Sequence, residues 1–177
     1  MADQNVLLSA NAITKALVRI AHEISEHNDD TENVVVVGIQ KGGVHVATRV
    51  AALLKQIWKH EVPHGMIDVS MHRDDLDQKL PSQVMPTNLP FDLDGKSIVL
   101  VDDVLFSGRT VRAALDALYH YGRPKRVQLA VLIDRGHREL PIKADFVGKN
   151  VPTSLKEHID VRLSETHGEE VVYLVRK

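Results

Sequence analysis

The sequence contains no cysteine, which removes disulfides, thiolate nucleophiles and cysteine-rich zinc sites from consideration. Neither charge dominates: 22 Lys plus Arg stand against 24 Asp plus Glu in 177 residues, a formal net charge of -2. Non-specific affinity for phosphates comes from net basic charge, so this balance argues against a general nucleic-acid binder and leaves only a local basic patch. Long apolar runs are missing too, and none approaches the ~20 residues that a membrane span needs. The first residues, MADQNVLLSANA, lack the basic region and apolar block of a secretory signal. Repeats, low-complexity tracts and Ser/Gly linkers do not occur. Ten histidines are present, but no H-x-x-x-H or comparable spacing falls on a helix, which speaks against a transition-metal site. The expectation is a cytoplasmic protein with a single domain over 1–177.

What remains is an ordinary globular composition, 44 % hydrophobic and 26 % charged. A chain of this length buries roughly 70 % of its unfolded surface, so one core suffices. Ile13, Ala16, Leu17, Ile20 and Ile24 recur at helical spacing over 9–27, with Ser9 or Asn11 as the cap. VVVVGI over 34–39 is a β-branched run of the kind covered on both faces. QKGG follows, and Val44, Ala47, Ala51, Leu54 and Trp58 mark a second helix. A strand is expected over 65–71. From 72 to 90 the chain turns polar and loses its period, which in a compact domain signals a functional or mobile loop. The pattern then repeats: a buried strand at 97–101, a loop at 102–109, a helix at 110–121 and a third core strand at 127–133. Strands alternating with helices imply α/β architecture with a parallel sheet, helices on both faces and right-handed crossovers. After Asp134 the text becomes basic and turn-rich, which predicts an irregular cap, with a short closing strand at 171–175.

The chemistry concentrates in IVLVDDVLFSGRT, residues 98–110. Ligands of parallel α/β sheets bind beyond the carboxyl ends of strands, and Asp102 and Asp103 stand at such an end. Around Ser107 and Gly108, successive backbone N–H groups and the Ser107 and Thr110 hydroxyls can wrap a phosphate at a helix N-terminus. Gly108 leaves that approach open. Carboxylates so near an anion would take hydroxyls or a cation as partners. A ribose carrying a 5-phosphate satisfies both halves. The bland alternative is a solvated acid pair before an ordinary strand–helix turn, although paired acids at a core edge repel unless a ligand compensates.

The same thirteen residues resemble the phosphoribosyl-pyrophosphate (PRPP) signature of the type I phosphoribosyltransferases. Flanking segments RIAHEI, HRDDL, GRTVRAALDAL and DRGHRELPIKADFVGKNVPTS look like the PyrR family: uracil phosphoribosyltransferases that also bind pyrimidine-operon messenger RNA and promote transcription attenuation. The resemblance runs over nearly the whole chain. It implies ribose-hydroxyl contacts for Asp102 and Asp103. The 5-phosphate loop falls on Leu105, Phe106, Ser107, Gly108, Arg109 and Thr110. The pyrophosphate loop falls on Gln40, Lys41, Gly42 and Gly43. PyrR relatives commonly carry Thr-Arg where this chain has Lys41-Gly42; the pair is more similar to the Lys-Gly of purine-salvage relatives, where a tight, often non-trans peptide presents its N–H to pyrophosphate.

Residues 72–90 correspond by the same resemblance to a flexible catalytic loop. Arg73 is its candidate for the departing pyrophosphate, and Asp74 and Asp75 fix the loop or a magnesium-bound water. Mg2+ is expected, held mainly by PRPP and water. A hood over about 134–158 would bind the base near Asp134, Arg135, Gly136 and His137, unless that cap is an oligomer contact. An RNA face would use Lys15, Arg19 and His22, three and four apart on one helical face, with Arg138, Lys143 and Lys149; the alternative is a solvated amphipathic face. Such enzymes are usually homodimers or larger. Three readings stand: a uracil phosphoribosyltransferase with RNA regulation, making UMP and pyrophosphate from uracil and PRPP; a phosphoribosyltransferase without it, with purine-base activity; and a PRPP-fold sensor without turnover.

Overall fold

The computed structural model describes residues 3–74 and 84–176. Its centre is a five-stranded, wholly parallel sheet. The strands are β2 (Val34–Ile39), β3 (His64–Ile67), β4 (Ser97–Leu105), β5 (Arg126–Asp134) and β6 (Phe146–Asn150), in the order β3-β2-β4-β5-β6. The β-branched run folds as a central strand because both its faces are covered. Val34 and Val36 face α1 (Ala10–Glu26) and α2 (Gly42–Trp58), together with Val99, Val101 and Leu132. Val35 and Val37 face α3 (Arg109–Tyr121) with Ile98, Leu100 and Val131. Each such side chain contributes roughly 1.5–3 kcal/mol on full burial, so period-two alternation with no polar face fixes register on both sides. Ser9 caps α1, its hydroxyl accepting from the Ala12 N–H at 3.4 Å.

A second sheet is antiparallel and three-stranded, β1 (Asp3–Ser9), β8 (Val171–Arg176) and β7 (Glu157–Arg162), in the order β1-β8-β7. The short α4 (Ser164–His167) joins β7 to β8. None of the described helices is long and apolar enough to cross a membrane.

Four expectations need correction. The strand expected at 97–101 runs on to Leu105, because parallel pairing with β5 continues through Asp102 opposite Val131, Val104 opposite Ile133 and Leu105 opposite Asp134; the two acids are strand residues, not loop residues. The strand expected at 65–71 is His64–Ile67, since its partner β2 ends at Ile39 opposite Ile67, and a 3-10 turn, Ser70–His72, follows. The polar stretch 72–90 is not all loop: Asn88 forms an antiparallel bridge with Met66, and residues 75–83, including Asp75, lie outside the described residues. The cap is not irregular throughout. β6 extends the main sheet as its edge, and β7 is organised by β8.

Candidate active site

Asp102 and Asp103 stand near the carboxyl end of β4, close to the middle of the main sheet. Asp102 is buried, 7 % exposed, and Asp103 half-buried. Each turns one carboxylate oxygen back on the chain: Asp102 Oδ1 accepts from the Asp103 N–H at 2.9 Å, and Asp103 Oδ1 from the Val104 N–H at 2.8 Å. Burial, and then the charge of Asp103 beside it, push the Asp102 carboxyl well above the usual carboxylate range, against the opposing pull of Arg73. A carboxyl held that way is poised to exchange hydrogen bonds with hydroxyl groups.

The turn after β4 carries the 5-phosphate loop. Gly108 has φ +92°, and a Cβ there would come within 3.3 Å of the Ile142 side chain, so the left-handed turn into α3 requires glycine. The Arg109 N–H donates to Ser107 Oγ at 3.3 Å. The hood fastens this turn from outside: the Glu139 and Leu140 N–H groups donate to the Ser107 carbonyl at 2.9 and 3.2 Å, and Arg138 Nη1 donates to the Phe106 carbonyl at 2.8 Å. The positive end of α3 therefore opens on the same space as the Ser107 and Thr110 hydroxyls, the arrangement that suits an anion.

The candidate pyrophosphate loop lies directly against the acids. The cis peptide of this loop is Gln40–Lys41, one bond before the Lys41-Gly42 pair that resembles purine-salvage relatives. A Cβ on Gly42 would stand 2.0 Å from Asp103 Oδ2, and one on Gly43 2.3 Å from the Val101 carbonyl. Lys41 is exposed beside them. Gln40 Nε2 donates to the Pro86 carbonyl at 3.1 Å, tying this loop to the returning arm of the stretch 72–90. From the other arm, Arg73 Nη1 donates to Thr110 Oγ1 at 3.3 Å. Arg109 does not turn inward; it pairs with Asp74 at 2.9 Å and Glu139 at 2.6 Å.

The candidate base loop divides into holders and walls. Asp134 pairs with Arg138 and accepts the Gly136 N–H at 3.0 Å. Arg135 is buried, and burial lowers its pKa. Its guanidinium lies 4.3 Å from the centre of the Phe106 ring and donates to Thr153 Oγ1, the Ser154 carbonyl and the Glu157 carbonyl. Most of its donors thus serve the hood. His137, at φ +61°, meets the Thr153 carbonyl through Nε2, and its ring is 6.0 Å from that of Phe106. A cavity of about 350 Å³ opens here, lined by Phe106, Arg135, Leu155, Lys156, Glu157 and His158. The last four lie within the expected hood, but LKEH carries neither the periodicity nor the motif that would single them out in it.

The candidate RNA residues lie on α1, on β6 and in the segment between β5 and β6. Lys15 and His22 are exposed on α1. Arg19 also lies on α1 but reaches across to β6, donating to the Val147 and Gly148 carbonyls and pairing with Glu23 at 3.5 Å. Lys149 donates to the Leu7 carbonyl at 3.3 Å, and Lys143 is exposed. Arg138 is held by Asp134 and by the Phe106 and Ile142 carbonyls, the last of these next to Lys143 in the chain. Among the described residues, no three or more His, Asp or Glu side chains are gathered to hold a metal ion.

Comparison with known proteins shows the family and the fold. The sequence pattern of the phosphoribosyl transferase domain family matches residues 3–166. The chain is 56 % identical over 177 residues to the bifunctional protein PyrR of Chloroflexus aurantiacus, covering 99 % of this chain and 97 % of that one. It is 54 % identical over 172 residues to the bifunctional protein PyrR of Thermus aquaticus, covering 97 % and 95 %. Among solved structures, a hypoxanthine-guanine phosphoribosyltransferase from Bacillus anthracis superposes with a TM-score of 0.73 over 97 % of each chain at 20 % identity, a likeness of fold. With the paired acids, the glycine-backed loop and the α3 turn gathered at the end of β4, the chain belongs to the phosphoribosyl transferase domain family and, within it, to the PyrR proteins.

Proposed function

We propose that this chain is a uracil phosphoribosyltransferase that joins uracil to PRPP, forming UMP and pyrophosphate, and that it also binds pyrimidine-operon mRNA to regulate transcription attenuation. The observation that carries the catalytic reading is the contact between Gly42 and Asp103. It sets the candidate diphosphate loop against the candidate ribose acids, with the α3 phosphate turn alongside. The regulatory reading is supported by the relatives named bifunctional PyrR at 54–56 % identity.

In this reading the 5-phosphate sits at 105–110 on the N-terminus of α3, where N–H groups and hydroxyls converge. Asp102 and Asp103 take the ribose hydroxyls. Lys41 and the N–H groups of its loop take the diphosphate, with Arg73 closing from the other side. Uracil enters beside the Phe106 ring, under the hood. The bond from N1 of the base to C1 of the ribose forms as the bond from C1 to the diphosphate oxygen breaks, and the N1 proton passes to the departing diphosphate. A hard cation such as Mg2+, held mainly by PRPP and water, would neutralise charge on the departing diphosphate. Closure of the segment around Arg73 keeps water from hydrolysing PRPP. Lys15, Arg19, His22, Arg138, Lys143 and Lys149 are the candidate RNA contacts. One cytoplasmic domain carries both activities, in a homodimer or larger assembly.

The test is product formation from PRPP and Mg2+ with uracil, hypoxanthine, guanine and xanthine in parallel. UMP alone is the expected product; a purine nucleotide would replace uracil as the substrate, and silence in every well would turn the reading to a sensor. Titration of a labelled pyrimidine-leader hairpin with and without UMP tests the regulatory half, which fails if binding does not exceed that of a scrambled RNA.

A further inference from the structure

Arg109, Arg112, Asp116 and His120 are spaced three, four and four residues apart on α3, which puts them on one helical face. That face is not simply solvated. It receives residues 72–74, where the candidate catalytic loop leaves the sheet. Arg112 Nη2 donates to the His72 carbonyl at 3.4 Å, while Arg112 Nη1 donates to Asp74 Oδ2 at 3.3 Å. One guanidinium therefore holds the chain on both sides of Arg73. Asp116 orients that guanidinium at 3.0 Å, and the His120 ring meets the His72 ring edge-on with centroids 5.0 Å apart. The Nε of Arg112 is buried without a hydrogen-bond partner among the described residues, so its remaining donors must offset that desolvation.

From this we infer that Arg112 is a positioning residue for the transfer reaction: by bracketing Arg73 it aims that side chain at Thr110. Arg112 lies outside the phosphate loop, and its side-chain hydrogen bonds among the described residues go to His72, Asp74 and Asp116. Its effect passes through the backbone at His72 and the carboxylate of Asp74. Lysine could not reproduce it, because only the planar fork reaches two acceptors at once. The inference rests on the reading of Arg73 as the partner of the departing diphosphate.

The test is a double-mutant cycle with R112M, R73A and the combined variant. It reads kcat and the KM for PRPP with uracil, alongside Tm. R112M is expected to lower kcat about tenfold to a hundredfold, the scale of a misaimed group, with KM for PRPP little changed. R112K should recover only part of the loss. In the R73A background, R112M should lower kcat no further, because both changes remove the same aimed group. Losses that multiply in the double variant, or an R112M enzyme with parental kcat, would overturn the positioning role. R73A with parental kcat would instead remove the role of Arg73, and the inference with it. Should R112M not fold, the same cycle run with R112K decides between these outcomes.

Discussion

Gly42 and Asp103 are in such close apposition that the smallest side chain at position 42 would stand 2.0 Å from a carboxylate oxygen. Sixty-one positions separate them in the chain. Their contact defines the space between the candidate diphosphate loop and the candidate ribose acids, and it makes glycine at 42 a steric requirement.

G42A is therefore expected to push the loop away or turn the Asp103 carboxylate off the Val104 N–H. Overpacking of this kind costs about 1–3 kcal/mol, which for a domain of this size lowers Tm by several degrees. PRPP binding should weaken at the same time, since both groups displaced are assigned to PRPP. Calorimetric titration with PRPP and a thermal melt check the two halves, and parental PRPP affinity in G42A would contradict the assignment.

Asp102 supplies a prediction with a defined sign. Its carboxyl is held well above the ordinary range by burial and by Asp103, so between those two pKa values the folded chain binds the extra proton. Stability contributed by the protonated form is fully present below the ordinary carboxylate range and is lost as pH rises through the raised value. D102N keeps an oxygen acceptor for the Asp103 N–H and removes the charge. Its Tm is expected to exceed that of the parent at neutral pH, with the difference vanishing near pH 4, while turnover with uracil falls. Melts across this pH range check it; a D102N protein less stable than the parent at neutral pH would refute it.

Arg49 on α2 grips the far sheet at α4 and the start of β8. It binds Glu165 through Nε at 2.8 Å and Nη2 at 2.7 Å, and it also pairs with Glu170. The hydrogen bonds from Arg49 hold the Glu165 carboxyl at about 2, below its ordinary 4.5. A depressed carboxylate contributes stability above its unfolded pKa and loses it as pH falls through the folded value. R49M should consequently lower Tm at neutral pH, and the gap to the parent should narrow as pH drops from about 4.5 towards 2. Parallel Tm profiles for the two proteins would show that the pair contributes nothing.

The amino-acid sequence by itself determined the elements whose signal is local. Apolar residues at helical spacing made α1, α2 and α3 legible, and apolar runs rich in Val, Ile and Leu made the cores of β2, β4 and β5 legible. The segment 98–110 carried its own chemistry, since Asp102, Asp103, Ser107, Gly108 and Thr110 are consecutive or nearly so. What only the tertiary structure decided is long-range. β1 and β7 became strands because β8 offered them hydrogen bonds, and β6 because β5 had a free edge; their own sequences are too polar or too short to announce it. Arg135, expected near the base, lines the cavity beside Phe106, while most of its donors hold the hood, because a buried guanidinium must find acceptors for them. Gly42 gained its meaning only when folding laid it on Asp103. Propensity and pattern are written in neighbouring residues, whereas close approach between distant ones is a property of packing, and packing is what turns two acids and a glycine into a site.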